Sequence, residues 1–350
     1  PHPLATANTF LSVWERWDAY HFIRVAGHGY RSVSDASFYP LYAGLVGLTG
    51  RILDGSFLLG GVLVSLAAGA ASFVLLRRIV VKRTTSEATA RRTLLFLVVF
   101  PTSFFLQTAY RESLYLLLVV LAFYWIEDDR LWLAAVATGL ALLTRPVGVA
   151  MLGALLWAVL SSYRRRRDLL APLLSLLIFS VYPLLLWLQL GDATAFLHSE
   201  SGWERHAPSS GPFGGLLRAA HATWAGILQL TVGSSAHPYW TNVDPAKVAA
   251  TNLEDAAYLA LFAILAVAAW RRFGGAYGVF TALGLLVPLS VPARAYPLLS
   301  FPRFTLVLFP ALAALAASRV GARWERPVAV ALAVLLGLNL SRWAMGLWIA

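Results

Sequence analysis

Cysteine is absent from the 350 residues, which excludes disulfides, thiolate metal sites and a thiol nucleophile. Charge is scarce as well. Asp, Glu, Lys and Arg make up 13% of the chain, against 59% hydrophobic residues and a mean hydropathy of +0.68. A soluble protein of this size must cover itself with polar groups, and this sequence has too few. Acidic residues are the rarer sign, 17 against 28 Lys plus Arg, for a formal charge of +11. In a soluble protein that surplus would point to nucleic acid. Here the basic residues flank apolar runs, where they orient membrane spans, and no nucleic-acid partner is expected. Residues 1–9 lack the charged and apolar regions of a secretory signal, and there is no initiating Met. Nothing resembles a Walker loop, a dinucleotide fingerprint or a zinc motif. His21 and His28, seven residues apart, make no convincing metal pair.

Apolar runs recur from Phe57 to the C-terminus. A bilayer core takes about 20 helical residues. Spans are predicted near 56–76, 93–109, 112–126, 131–143, 147–162, 169–190, 256–270, 276–292, 304–319 and 327–348. The expected fold class is all-α, a polytopic transmembrane helical protein of about ten spans forming one membrane-embedded domain over 1–350. The pair 112–126 and 131–143 is short enough for half-spans or a re-entrant hairpin. Clusters at Arg77/Arg78/Lys82/Arg83/Arg91/Arg92, Arg130, Arg164–Arg167, Arg271/Arg272 and Arg319/Arg323/Arg326 fall in alternate loops and hold 16 of the 28 basic residues. The positive-inside rule makes those loops cytoplasmic. The opening segment 1–55, the turns 107-QTAYRES-113 and 144-TRPVG-148, the long loop 191–255 and 293-ARAYPLLSFPR-303 then share the external face.

The opening stretch 14-WERWDAYHFIRVAGHGY-30 packs Glu, Asp, two His, two Arg and two Trp into seventeen residues. Read as a helix, it places Asp18 three residues from His21, and Trp14, Trp17, His21 and Arg24 on one face. An interfacial amphipathic helix with its Trp side chains at headgroup depth accounts for part of the pattern. Charge on the aromatic side of the helix, rather than opposite it, favours a site. Arg111 and Glu112 stand at the mouth of two spans, and Arg145 precedes a Pro at a span start. Trp203, Glu204, Arg205 and His206 share the long loop, and Arg303 precedes an apolar span. Snorkelling or a surface ion pair explains most of these singly. Together they supply one candidate base, an imidazole and several guanidinium groups suited to phosphate.

The strings 17-WDAYHFIRVAGHGY-30 and 38-FYPLY-42 resemble the first external loop of the PIG-V family, enzymes that add the second mannose in GPI-anchor synthesis, and of their bacterial relatives. The likeness continues through 100-FPTSFFLQTAYRESLY-115, 143-LTRPVG-148, 191-GDATAFLHSESGWERH-206 and 300-SFPRF-304. The chain departs from the family pattern at Arg111, usually a small hydroxyl residue, and at Ala43, usually Pro. The resemblance implies a GT-C glycosyltransferase fold and a further span before the first loop, so about eleven in the intact protein. It implies transfer of a hexose, mannose first, from a polyprenyl phosphate sugar to a glycan or glycolipid acceptor. The expected setting is a bacterial cytoplasmic membrane with the site outside, or the endoplasmic reticulum membrane in a eukaryote. Asp18 matches the family's catalytic base, with His21 orienting it or binding the leaving phosphate. Arg145, Arg303 and Arg205 are the candidates for the donor phosphate. Trp17, Tyr39, Tyr110, Glu112 and Trp203 are the candidates for substrate contact. No cofactor is expected, and a divalent metal stays open beside the guanidinium groups. A lipid-linked sugar flippase or polysaccharide transporter is the rival reading. It would place charge at mid-membrane depth, whereas the predicted span centres are nearly free of charge.

Overall fold

The computed structural model describes residues 11–161, 166–233, 244–347 and 349. Every regular element among them is helical. A 3-10 turn, Leu11–Trp14, precedes α1 (Asp18–His28) and α2 (Pro40–Ile52). There follow α3 (Phe57–Thr84), α4 (Glu87–Val98), α5 (Glu112–Glu127), α6 (Leu131–Leu142) and α7 (Gly148–Leu160). The middle of the chain holds α8 (Ala171–Phe179), α9 (Val181–Leu190), α10 (Ala195–His198) and α11 (Gly211–Val232). The last third holds α12 (Pro245–Phe273), α13 (Gly275–Leu289), α14 (Phe301–Leu306), α15 (Phe309–Ala317), α16 (Arg319–Arg323) and α17 (Glu325–Ala344).

Four helical stretches among the described residues are long and apolar enough to cross a membrane: α3, the run Arg166–Leu190, α12 and α17. In α12 and α17 only 22% and 11% of the most apolar window is buried inside the protein. Ile264, Val330, Val334 and Leu338 point outward from them. Such surfaces need an apolar medium around them.

The other predicted spans are shorter or broken. α6, α7 and α13 are apolar but run to 12, 13 and 15 residues. The predicted span 93–109 ends as a helix at Val98, because Pro101 has no N–H to give and its ring crowds the preceding turn. The Ser103 hydroxyl donates to the freed Val98 carbonyl at 2.6 Å, and the Asn339 amide donates to the Pro101 carbonyl at 3.1 Å. The predicted span 304–319 divides between α14 and α15 at Leu308, whose ψ of 59° is not helical.

The core is built by α3 against α2, α4 and α5, by α13 against α7, α11 and α12, and by α15 against α4 and α12. Where α11 crosses the end of α13, a Cβ on Gly215 would lie 1.8 Å from the Leu289 carbonyl oxygen, so only glycine permits the approach. The end of α17 fastens the opening segment: Arg16 donates to the Trp343 carbonyl at 2.6 Å, and the Trp343 indole donates to the Val13 carbonyl at 3.1 Å.

Candidate active site

Trp17 adopts φ 56° and ψ −121°, a backbone region that bulky side chains rarely enter. The chain turns there, and α1 begins at Asp18. Trp14 and Trp17 therefore stand outside the helix, and the face predicted to carry them starts one residue later. Tyr110 holds this turn. Its hydroxyl accepts the Asp18 N–H at 3.2 Å and donates to the Arg16 carbonyl at 3.1 Å. One turn along, His21 lies 3.3 Å from the Arg24 guanidinium and stacks on Phe38 with ring centres 4.8 Å apart.

Ser300, also left-handed at φ 69°, aims α14 at the same point. Arg303 donates to the Asp18 carboxylate at 2.8 Å, and its Nε lies 3.4 Å from Glu112 Oε1. The same Glu112 oxygen is 3.4 Å from Arg145 Nη1. Both members of that second pair are buried, Arg145 fully and Glu112 to within 1%. Burial works against charge on Asp18, but the Arg303 and Arg111 guanidinium groups outweigh it and hold the carboxyl below its usual range. Burial pushes Arg145 down to about 10, with Glu112 opposing, so it stays charged at neutral pH.

Asp18 and Arg303 form part of the wall of a cavity of about 160 Å³. Arg111, Glu200 and Arg205 also line it, together with apolar groups: Val147 near the head of α7, Val287 and Pro288 from α13, Val291 and Phe304. Arg205 lies 3.7 Å from Glu200 and clamps the 291–299 segment by donating to the Leu299 carbonyl at 2.9 Å. A cavity lined by both guanidinium groups and apolar side chains suits a ligand that carries both a phosphate and a hydrocarbon.

Five sequence segments predicted to share one face thus meet at one end of the bundle. Of the predicted residues, Asp18, Arg205 and Arg303 line the cavity. Arg145 does not: it is sealed behind Glu112, with its guanidinium over Tyr115 at 5.4 Å and Phe304 at 4.8 Å. In this structure it meets Glu112 rather than the cavity, one layer behind the lining residue Phe304. Glu112 and Tyr110 likewise sit behind the wall and position Arg303 and Asp18. Tyr39, packed against Tyr182 at 4.7 Å, and Trp17, 39% exposed, are not among the lining residues. The Trp203 side chain and the part of the basic cluster at 164–165 lie outside the described residues. Sequence reasoning singled out Arg111 at a span mouth without giving it a site role, and passed over Glu200 and Phe38, although both stand in quoted segments. Nothing in the sequence marks Val287 and Pro288 as lining residues. Among the described residues, no three His, Asp or Glu side chains group to hold a metal ion.

The mannosyltransferase (PIG-V) family model matches residues 5–195, more than half of the chain, and the chain belongs to that family. With its four long apolar helices it is an integral membrane glycosyltransferase of the mannosyl class. The matched region carries Asp18, His21, Arg111, Glu112 and Arg145, while Arg205 and Arg303 lie beyond it. No curated protein matches the chain.

Proposed function

We propose that this PIG-V family member moves mannose from a polyprenyl phosphate mannose to a glycan or glycolipid acceptor, on the external face of the membrane, within a GT-C type of fold. The observation that carries the reading is Asp18, an ionised carboxylate on the wall of a cavity lined by guanidinium groups and apolar side chains. The basic clusters of the sequence support the external face. Nucleotide sugars are kept in the cytosol, so an external transferase needs a sugar already activated on a lipid.

The reaction is one inverting displacement. The acceptor hydroxyl attacks the anomeric carbon while its proton passes to the Asp18 carboxylate. The bond between the anomeric carbon and the phosphate oxygen breaks, and its electron pair leaves with the polyprenyl phosphate. Arg303 and Arg205, both on the cavity wall, meet the charge that grows on that phosphate. Glu112 holds Arg303 from behind and is itself paired with Arg145. His21, beside Asp18, adds positive charge there when protonated.

Purified protein incubated with polyprenyl phosphate mannose and candidate acceptors should release polyprenyl phosphate. Transfer from a nucleotide sugar instead would overturn the donor assignment. The face is tested separately in this cysteine-free chain. Ser209→Cys in the long loop should react with an impermeant thiol reagent on intact cells, and Ala88→Cys only after lysis. The reverse pattern would put Asp18 in the cytosol.

A further inference from the structure

A donor that carries a phosphate needs a cation free to receive it, and most of the guanidinium groups here are already engaged. Arg303 is held by Asp18 at 2.8 Å. Arg145 and Arg303 share Glu112, each at 3.4 Å. Arg205 has Glu200 at 3.7 Å and carbonyl oxygens of the 291–299 segment. Four guanidinium groups meet three carboxylates, so one positive charge is left over.

That charge is on Arg111. Among the described residues it pairs with no carboxylate. Its Nη1 donates to the Ser37 carbonyl at 3.1 Å, and its Nε is buried without a partner. The group lies over the Phe22 ring at 5.4 Å and is 8% exposed, yet it lines the cavity. A guanidinium does not shed its proton to escape burial. A buried charge without a direct ion pair is costly, and a chain that keeps one at a cavity wall has a place for an anion.

We propose that Arg111 is the anion anchor of the cavity, the residue that takes the lipid phosphate and holds it once the sugar has left. The proposal rests on the lipid phosphate donor argued above. Binding at Arg303 would have to displace a direct ion pair with Asp18; binding at Arg111 displaces only the hydrogen bond to a carbonyl oxygen, with Asp18 acting on it at longer range. Three consecutive residues then divide the work. Tyr110 fixes the backbone of the base, Arg111 receives the leaving group, and Glu112 steadies Arg303. The tripeptide is itself anchored, since the Tyr110 carbonyl accepts from the Ser65 hydroxyl of α3 at 2.9 Å.

Binding of a short-chain polyprenyl phosphate, and of the matching uncharged polyprenol, tests this in detergent-solubilised protein. Arg111→Gln should weaken the phosphate roughly 10- to 100-fold and leave the alcohol unchanged. Arg111→Lys, which keeps the charge but loses the fork, should fall between. A phosphate affinity that survives Arg111→Gln in folded protein overturns the anchor and leaves the donor reading standing. If Arg111→Gln fails to fold, the decision passes to Arg111→Lys, and parental affinity for the phosphate in that variant overturns the bidentate anchor. Failure of the unaltered protein to bind the lipid phosphate sinks the donor reading and the anchor with it.

Discussion

Helix α5 begins with Glu112 and ends with Glu127, roughly 22 Å apart at 1.5 Å per residue, and the two carboxylates face different surroundings. Glu127 accepts from the Tyr277 hydroxyl at 3.0 Å and lies 3.5 Å from Arg83. Around it Lys82 pairs with Asp128, Arg77 with Glu87, and Arg92 with Glu325, so that α3, α4, α5, α13 and α17 are tied together. Most of these side chains reach the surface, where solvent or headgroups complete their hydrogen bonding. At the other end, Glu112 Oε2, Arg111 Nε, Arg145 Nε and Nη2 and Arg303 Nε are buried without a hydrogen-bond partner. One end uses charge to join helices. The other keeps polar atoms dry and unsatisfied beside a cavity, the condition of a site built for a polar ligand.

The contrast is open to experiment at several strengths. The largest effect expected is chemical. Asp18→Asn keeps the shape and removes the base, and transfer should fall by about 10²–10⁴-fold with membrane insertion unchanged. More than half the parental rate in that variant would remove Asp18 from the mechanism.

Next in size is the direct comparison of the two glutamates. Glu112→Gln strips the shared counter-charge from two buried guanidinium groups and should cost about 3–5 kcal/mol of stability. Glu127→Gln, at the partly exposed end, should cost about 1 kcal/mol or less. Thermal unfolding of both variants in the same detergent decides it, and equal losses would erase the distinction between the ends.

The smallest effect is a pH dependence. The ion pair with Arg303 lowers the Asp18 carboxyl below its unfolded value. Its contribution to stability is therefore fully present above about pH 4 and is lost as the pH falls through the lowered value. The stability gap between the parent and Asp18→Asn should stay flat from about pH 5 to 8 and close only in stronger acid. A gap that changes within the neutral range would assign the titration to another group.

Much of this was legible in the chain. Apolarity adds residue by residue, so composition alone establishes the membrane class. The long uninterrupted runs around α3, Arg166–Leu190, α12 and α17 appear as helices of spanning length for the same reason. Asp18 and Arg303 stand out in the sequence because each is a charge in an aromatic or apolar setting, and Arg205 because it lies in a long polar loop. The broken spans were harder. Pro101 is visible in the sequence, but that the helix would stop at Val98 depended on Ser103 and Asn339 being present to satisfy the carbonyls it freed.

Arg111 and Arg145 show where sequence ends as a guide. Each is an arginine in a short turn leading into an apolar helix, and no local feature ranks one above the other. Arg145 is withdrawn from the cavity because Glu112, 33 residues away, lies under it. Arg111 is left on the wall because its nearest acceptor, the Ser37 carbonyl 74 residues away, is neutral. Asp18 is an ion-paired base only because Arg303 arrives from 285 residues further along. The sequence by itself determined the class of protein, the helices of spanning length and the charges available to a site. The tertiary structure decided which of those charges are spent on one another and which stands unpaired, because a buried charge is governed by the groups within a few ångströms of it, and those come from distant parts of the chain.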